Sequence, residues 1–115
     1  MHEYKMNEYQ ADAAATAIYK WKVIYPALGL ANEAGEVLGK LKKLIRDNDV
    51  RFDGKSRVTD KQRVELCAEL GDVLWYISNL SRDLGLTLND VAAMNIEKLQ
   101  SRKDRGVIGG SGDNR

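Results

Sequence analysis

The sequence predicts an all-α fold, a bundle of four helices with one long loop between the second and the third. Three observations carry that prediction. Chain breakers are scarce in the body of the sequence, with Pro26 the one proline and Gly106, Gly109, Gly110 and Gly112 gathered near the C-terminus. Apolar residues recur at helical spacing in two long segments. Helix-boundary signals fall between the segments, Gly85 reading as a C-terminal cap and Thr87 with Asp90 as a capping box.

The first helix is predicted over about Asn7 to Lys20, where alanine, the best helix former, is abundant. Trp21 to Tyr25 continue it or form its exit. Pro26 then ends it or opens the next helix, since proline is tolerated in a first turn and not in a helix interior. The second helix is predicted over about Ala27 to Arg46, with Leu30, Ala34, Val37, Leu41, Leu44 and Ile45 at helical spacing. Asp47 to Asp60 is the long loop, of a length that is often functional. The third helix, about Lys61 to Leu84, has the clearest stripe: Val64, Cys67, Leu70, Leu74, Ile77, Leu80 and Leu84. The fourth runs from Thr87 to about Lys103. Residues 1–105 are thus expected to form one helical domain, and residues 106–115 a disordered glycine-rich tail.

The 115 residues suit one domain, and a chain this small gains stability by oligomerising. Its composition, 43% hydrophobic and 30% charged, is that of a soluble globular protein. The formal net charge of +1 gives no global signal for a nucleic-acid polymer. No apolar run approaches the ~20 residues of a membrane span. The single cysteine, Cys67, forms no internal disulfide, and Met1 to Gln10 lack the apolar core of a signal peptide. A cytoplasmic location is expected.

Two acidic pairs stand out, Glu33-Ala-Gly-Glu36 in the second helix and Glu69-Leu-Gly-Asp72 in the third. A spacing of three puts both acids of a pair on one helix face. A single such pair reads as a solvated face. Two pairs in apolar surroundings are costly to bury and would repel if they converged. No lysine or arginine stands within either pair, so a hard divalent cation with oxygen ligands is the simplest offset. With one histidine and one cysteine in the chain, a zinc site of those residues is disfavoured. Gly35 and Gly71, each just before the second acid, suggest close approach of helices or of a ligand, or ordinary packing.

The residues resemble a known family. Leu28 to Glu36 is similar to the first motif of the MazG-like, all-α nucleoside triphosphate pyrophosphohydrolases, Glu69 to Tyr76 to the second, and Asn95 to Arg102 to the third. The likeness spans about Tyr9 to Arg105. It implies a helical MazG-type fold, a dimer or tetramer, and magnesium-dependent cleavage of nucleoside triphosphates between the α- and β-phosphates, with manganese as a substitute ion. It implies that Glu33, Glu36, Glu69 and Asp72 hold the metal, that Lys98 contacts phosphate, and that Asn95 orients a carboxylate or the phosphate chain. The gap between the acidic pairs is longer than in the compact members of the family.

Beyond the motifs, Lys98 and Arg102 are four apart and suit a polyphosphate, although cations near a helix C-terminus are favourable without a ligand. Trp21, Tyr25, Trp75, Tyr76 and Asn79 are candidates for the wall of a nucleobase pocket, with Tyr76 and Asn79 continuing the acidic face along the helix. Core packing is the competing role for the tryptophans and Tyr25. The competing functions are a non-catalytic helical oligomerisation or interaction module, and a dUTPase-like or diphosphate-cleaving relative within the same superfamily.

Overall fold

The structure, a computed structural model, describes residues 1–51, 53 and 58–115. It consists of α1 (Met6–Ala15), α2 (Ile24–Asn48), α3 (Asp60–Asp83) and α4 (Leu88–Asp104), with no strand among the described residues. The all-α prediction holds, as does the long connection between α2 and α3. Phe52 and residues 54–57 of the predicted loop lie outside the described residues.

α1 stops five residues short of the predicted end. The Thr16 hydroxyl donates to the Ala13 carbonyl at 2.8 Å and accepts the Trp75 indole N–H at 2.8 Å, which ties the chain to α3. The chain then turns. Val23 has φ 67° and ψ −62°, and the Ile24 N–H donates to the Lys22 carbonyl at 2.7 Å. That is the γ-turn of positive φ, rare and strained, and a β-branched residue is among the least suited to it. Such a conformation costs of order 1–3 kcal/mol and persists only when its surroundings hold it. α2 starts at Ile24, before Pro26 rather than after it. Pro26 is the third residue of the first turn, where the amide it lacks would have had no helical partner.

α2 ends with Asp49 in the left-handed region at φ 51°, and the Val50 N–H reaches the Leu44 carbonyl at 3.1 Å. α3 and α4 both open on capping boxes. Thr59 and Gln62 exchange bonds of 2.8 and 3.2 Å, and Thr87 and Asp90 exchange two of 3.0 Å. Gly85, at φ 77°, takes the capping position expected of it.

α3 is the central element, packing against α2, α1 and α4, whereas α4 makes no helix contact with α2 among the described residues. The small core lies where α1, the end of α3 and the start of α4 meet, around Ala13, Ser78 and Leu88. Gln10 joins these elements. Its amide N–H groups donate to the Ser78 and Leu86 carbonyls at 3.3 and 3.0 Å, and its oxygen accepts the Leu88 N–H at 3.0 Å.

The α3 stripe is not buried in the single chain. Val64 is 69% exposed and Leu70 56%, and Leu28, Leu38 and Ile45 of α2 are also exposed. The radius of gyration is 17.1 Å, against about 13 Å for a compact chain of this length. Residues 106–115 fold back on the end of α4: the Arg102 guanidinium donates to the Asp113 carbonyl at 3.0 Å and Arg105 to the Arg115 carbonyl at 2.8 Å. Among the described residues no helix is long and apolar enough to cross a membrane.

Candidate metal centre

The facing of α2 and α3 decides which acids meet. Carboxylate oxygens of Glu33, Glu69 and Asp72 converge to within 4.8 Å of one another. Glu33 and Glu69 are half-buried and Asp72 is exposed. Glu36, one turn beyond Glu33, is exposed and stands outside this trio.

The electrostatics follow from that geometry. Glu33 is pushed above the usual carboxylate range, first by desolvation and then by the charges of Asp72, Glu69 and Glu36. Each neighbour acts in the same direction, so the cluster carries a deficit of positive charge. Hard oxygen donors from two helices, mutually repelling and open on the Asp72 side, fit a divalent cation of the magnesium class. Among the described residues Lys40 pairs with the cluster, its Nζ 3.8 Å from Glu69 Oε1. It offsets the edge of the cluster, at Glu69, and is not a cause of the Glu33 shift.

Tyr76 links the acids to an aromatic region. Its ring packs on the backbone of Gly29, where a Cβ would fall 2.1 Å from the ring. Here, and not at Gly35 or Gly71, the helices come close: at both of those glycines a Cβ would meet nothing within 4 Å. The phenol of Tyr76 is raised by burial, by hydrogen bonding to Tyr25 and by the charges of Glu33 and Asp72. Burial and the charge of Asp72 likewise raise the Tyr9 phenol on α1.

Beyond Tyr76 lies a cleft of about 310 Å³ lined by Thr16, Tyr19, Trp21, Tyr25 and Trp75 among others. The Tyr19 and Tyr25 rings stack with centroids 5.1 Å apart, Trp75 meets Tyr76 edge-on at 5.0 Å, and Tyr25 lies 6.2 Å from Tyr76. Trp21, 70% exposed, is the outer wall.

The remaining candidates go elsewhere. Asn79 is buried in the core, its amide donating to the Trp75 carbonyl at 3.1 Å. Asn95 and Lys98 line a shallow depression of α4 together with Val91 and Met94, and none of the four acids reaches it. Arg102 is buried beneath the folded-back tail. Sequence reasoning missed Lys40 and Tyr9. Lys40 had a signal, since it follows Glu36 by four residues and shares its helix face. Tyr9 had none, because its place depends on how α1 packs on α3.

Comparison with known proteins identifies the family of the chain. Residues 26–107 match the model of the MazG nucleotide pyrophosphohydrolase domain, a span that includes all four acids and the three α4 candidates, Asn95, Lys98 and Arg102. The chain is 46% identical over 115 residues to the Gene 37 protein of Mycobacterium phage L5, covering 93% of this chain and 96% of that one. The relative's name states no activity. No solved structure matches the chain.

Proposed function

The chain belongs to the MazG nucleotide pyrophosphohydrolase family, and from that premise we propose that it hydrolyses nucleoside triphosphates to monophosphates and pyrophosphate with a divalent cation, magnesium or manganese. The observation that carries the proposal is the convergence of Glu33, Glu69 and Asp72 across two helices. These three residues would hold the cation. When bound, it supplies neutralising charge for the phosphates and lowers the pKa of a water.

The chain's own residues do the rest. Glu36 stands beside the trio and outside it, and we assign to it the proton of the water that attacks the α-phosphorus. The open side at Asp72 admits the triphosphate. The aromatic cleft next to Tyr76 takes the base, with Trp21 and Tyr25 as its walls and Tyr76 between base and phosphates. By their motif Lys98 is assigned to phosphate, and Asn95 to orienting a carboxylate or the phosphate chain. In the single chain they face away into a depression built from α4 alone, so we assign that contact to the assembled oligomer. The exposed apolar residues of α2 and α3 support such an assembly, a homodimer or homotetramer.

The test is a magnesium-dependent panel of ribo- and deoxyribonucleoside triphosphates with identification of the products. Pyrophosphate and a monophosphate are expected. Single phosphates, or no hydrolysis of any member, would sink the reading, and a turnover confined to dUTP would mark the dUTPase-like alternative. The Lys40 contact favours a second reading, a non-catalytic helical module, because it shows part of the acidic charge offset without a metal. That reading expects no rise in melting temperature with magnesium, since only a ligand of the native state stabilises by mass action.

A further inference from the structure

We propose that Asp83 is a positioning residue for the base end of the substrate: its carboxylate clamps the 16–23 turn in a strained form and so sets the aromatic cleft before a nucleotide arrives. The inference rests on the pyrophosphohydrolase reading above and adds a residue outside the family's acidic motifs, eleven positions beyond Asp72.

The geometry is specific. The Asp83 side chain is 1% exposed at the end of α3. One oxygen, Oδ2, accepts both the Tyr19 hydroxyl at 2.7 Å and the Val23 N–H at 3.0 Å. The other, Oδ1, lies 3.9 Å from the Arg82 guanidinium, which offsets its charge. The two residues it grips are the two sides of the turn. Tyr19 stacks on Tyr25, and Trp21 lies between Tyr19 and Val23 in the chain. Val23 is the strained γ-turn residue, and valine does not hold that conformation unaided. A charge-assisted bond to a buried carboxylate is the kind of contact that can hold it.

Strain held in this way has a use. A free turn would have to order its aromatic side chains on each binding event, whereas a clamped one has already paid that entropy. Loss of the clamp should therefore weaken binding of the base and leave the chemistry at the acids alone. The Thr16–Trp75 bond secures the other end of the same turn, so the clamp can be cut without unfolding α1.

The experiment compares the wild-type chain with Asp83→Asn, Val23→Gly and the double variant. The probes are steady-state hydrolysis of the preferred triphosphate and binding of the matching nucleoside monophosphate, followed by the fluorescence of Trp21 and Trp75, the chain's two tryptophans. Ribose 5-phosphate is the control without a base. Asp83→Asn should raise KM and the monophosphate Kd together by about tenfold with kcat within about twofold, and leave ribose 5-phosphate unchanged. Adding Val23→Gly should recover part of that loss, because glycine adopts positive φ without a clamp. Equal KM in wild type and Asp83→Asn, an equal effect on ribose 5-phosphate, or a fall in kcat alone would overturn the assignment. If Asp83→Asn does not fold, Tyr19→Phe removes one of the two bonds while keeping the ring, and must show the same KM-selective loss. An absence of hydrolysis in the wild type would overturn the reading of the family activity instead, and the monophosphate titration would still report on the clamp.

Discussion

Glu33 shows how one side chain carries both the cost and the use of this site. Its pKa is raised above the ordinary 4.5 by desolvation and by three neighbouring carboxylates. A raised carboxylate binds its proton more tightly in the folded than in the unfolded chain. Its contribution to stability is therefore full below the ordinary carboxylate range and falls as pH rises through the raised folded value. Without added metal, melting temperature should decline across that interval. With magnesium the decline should be reversed, because the cation competes with the proton and favours the ionised form. Thermal melts between pH 4 and 8, with EDTA and with magnesium, check both slopes; parallel curves would contradict the site. Glu33→Gln removes one charge from the cluster. It should raise the metal-free melting temperature at pH 7, abolish the magnesium-linked increase, and lower turnover by ~10²-fold or more, the scale of a lost charge-stabilising group. A stabilised but inactive variant is the expected sign of a residue kept for chemistry at a cost to the fold.

Between α2 and α3 the decisive contact is Gly29 against Tyr76. The sequence offered Gly35 and Gly71 as places of close approach of helices or of a ligand, or of ordinary packing, because glycine within a helix costs ~1 kcal/mol relative to alanine, and the structure answers only for the helices. Both face open space, while Gly29, not singled out, meets the tyrosine ring. Spacing put each acidic pair on one helix face because that period follows from one helix. It could not locate the contact, which depends on the angle at which two helices cross. The same distinction explains the other elements. The capping box at Thr87 was legible because it is local, as was Gly85. The end of α1 at Thr16 was not, since it is fixed by a bond to Trp75, 59 residues away in the chain. Gly29→Ala should force the ring aside, cost about 1–3 kcal/mol as an overpacked core position does, and separate the acids enough to lower magnesium-dependent activity. Tyr76→Leu added to Gly29→Ala should restore most of the stability. A double-mutant cycle by urea unfolding measures the coupling, and additive effects would show that the contact does not set the spacing.

At the scale of the whole molecule the question is what covers the apolar side chains of α2 and α3. The sequence supplied the stripe, and a stripe at helical spacing states that a face is buried without stating against what. Within one chain α4 does not reach α2, and Val64, Leu38 and Leu28 remain each about two-thirds exposed. The radius of 17.1 Å, well above that of a compact chain, accords with the proposed assembly, in which a second copy would close the face. Val64 is the discriminating position. In a monomer it is a solvated residue at the start of α3, and Val64→Lys should change stability by no more than ~0.5 kcal/mol. In an oligomer the substitution buries an unpaired charge, which is far more costly. Wild-type chain should sediment as a multiple of its 12.9 kDa mass, with a melting temperature that rises with protein concentration. Val64→Lys should shift the sedimenting species toward the monomer and remove the concentration dependence. Activity should fall with the assembly, because Asn95 and Lys98 then lose their access to the acids. A monomeric wild type with full turnover would contradict the assembly and return the phosphate contact to residues of α2 and α3.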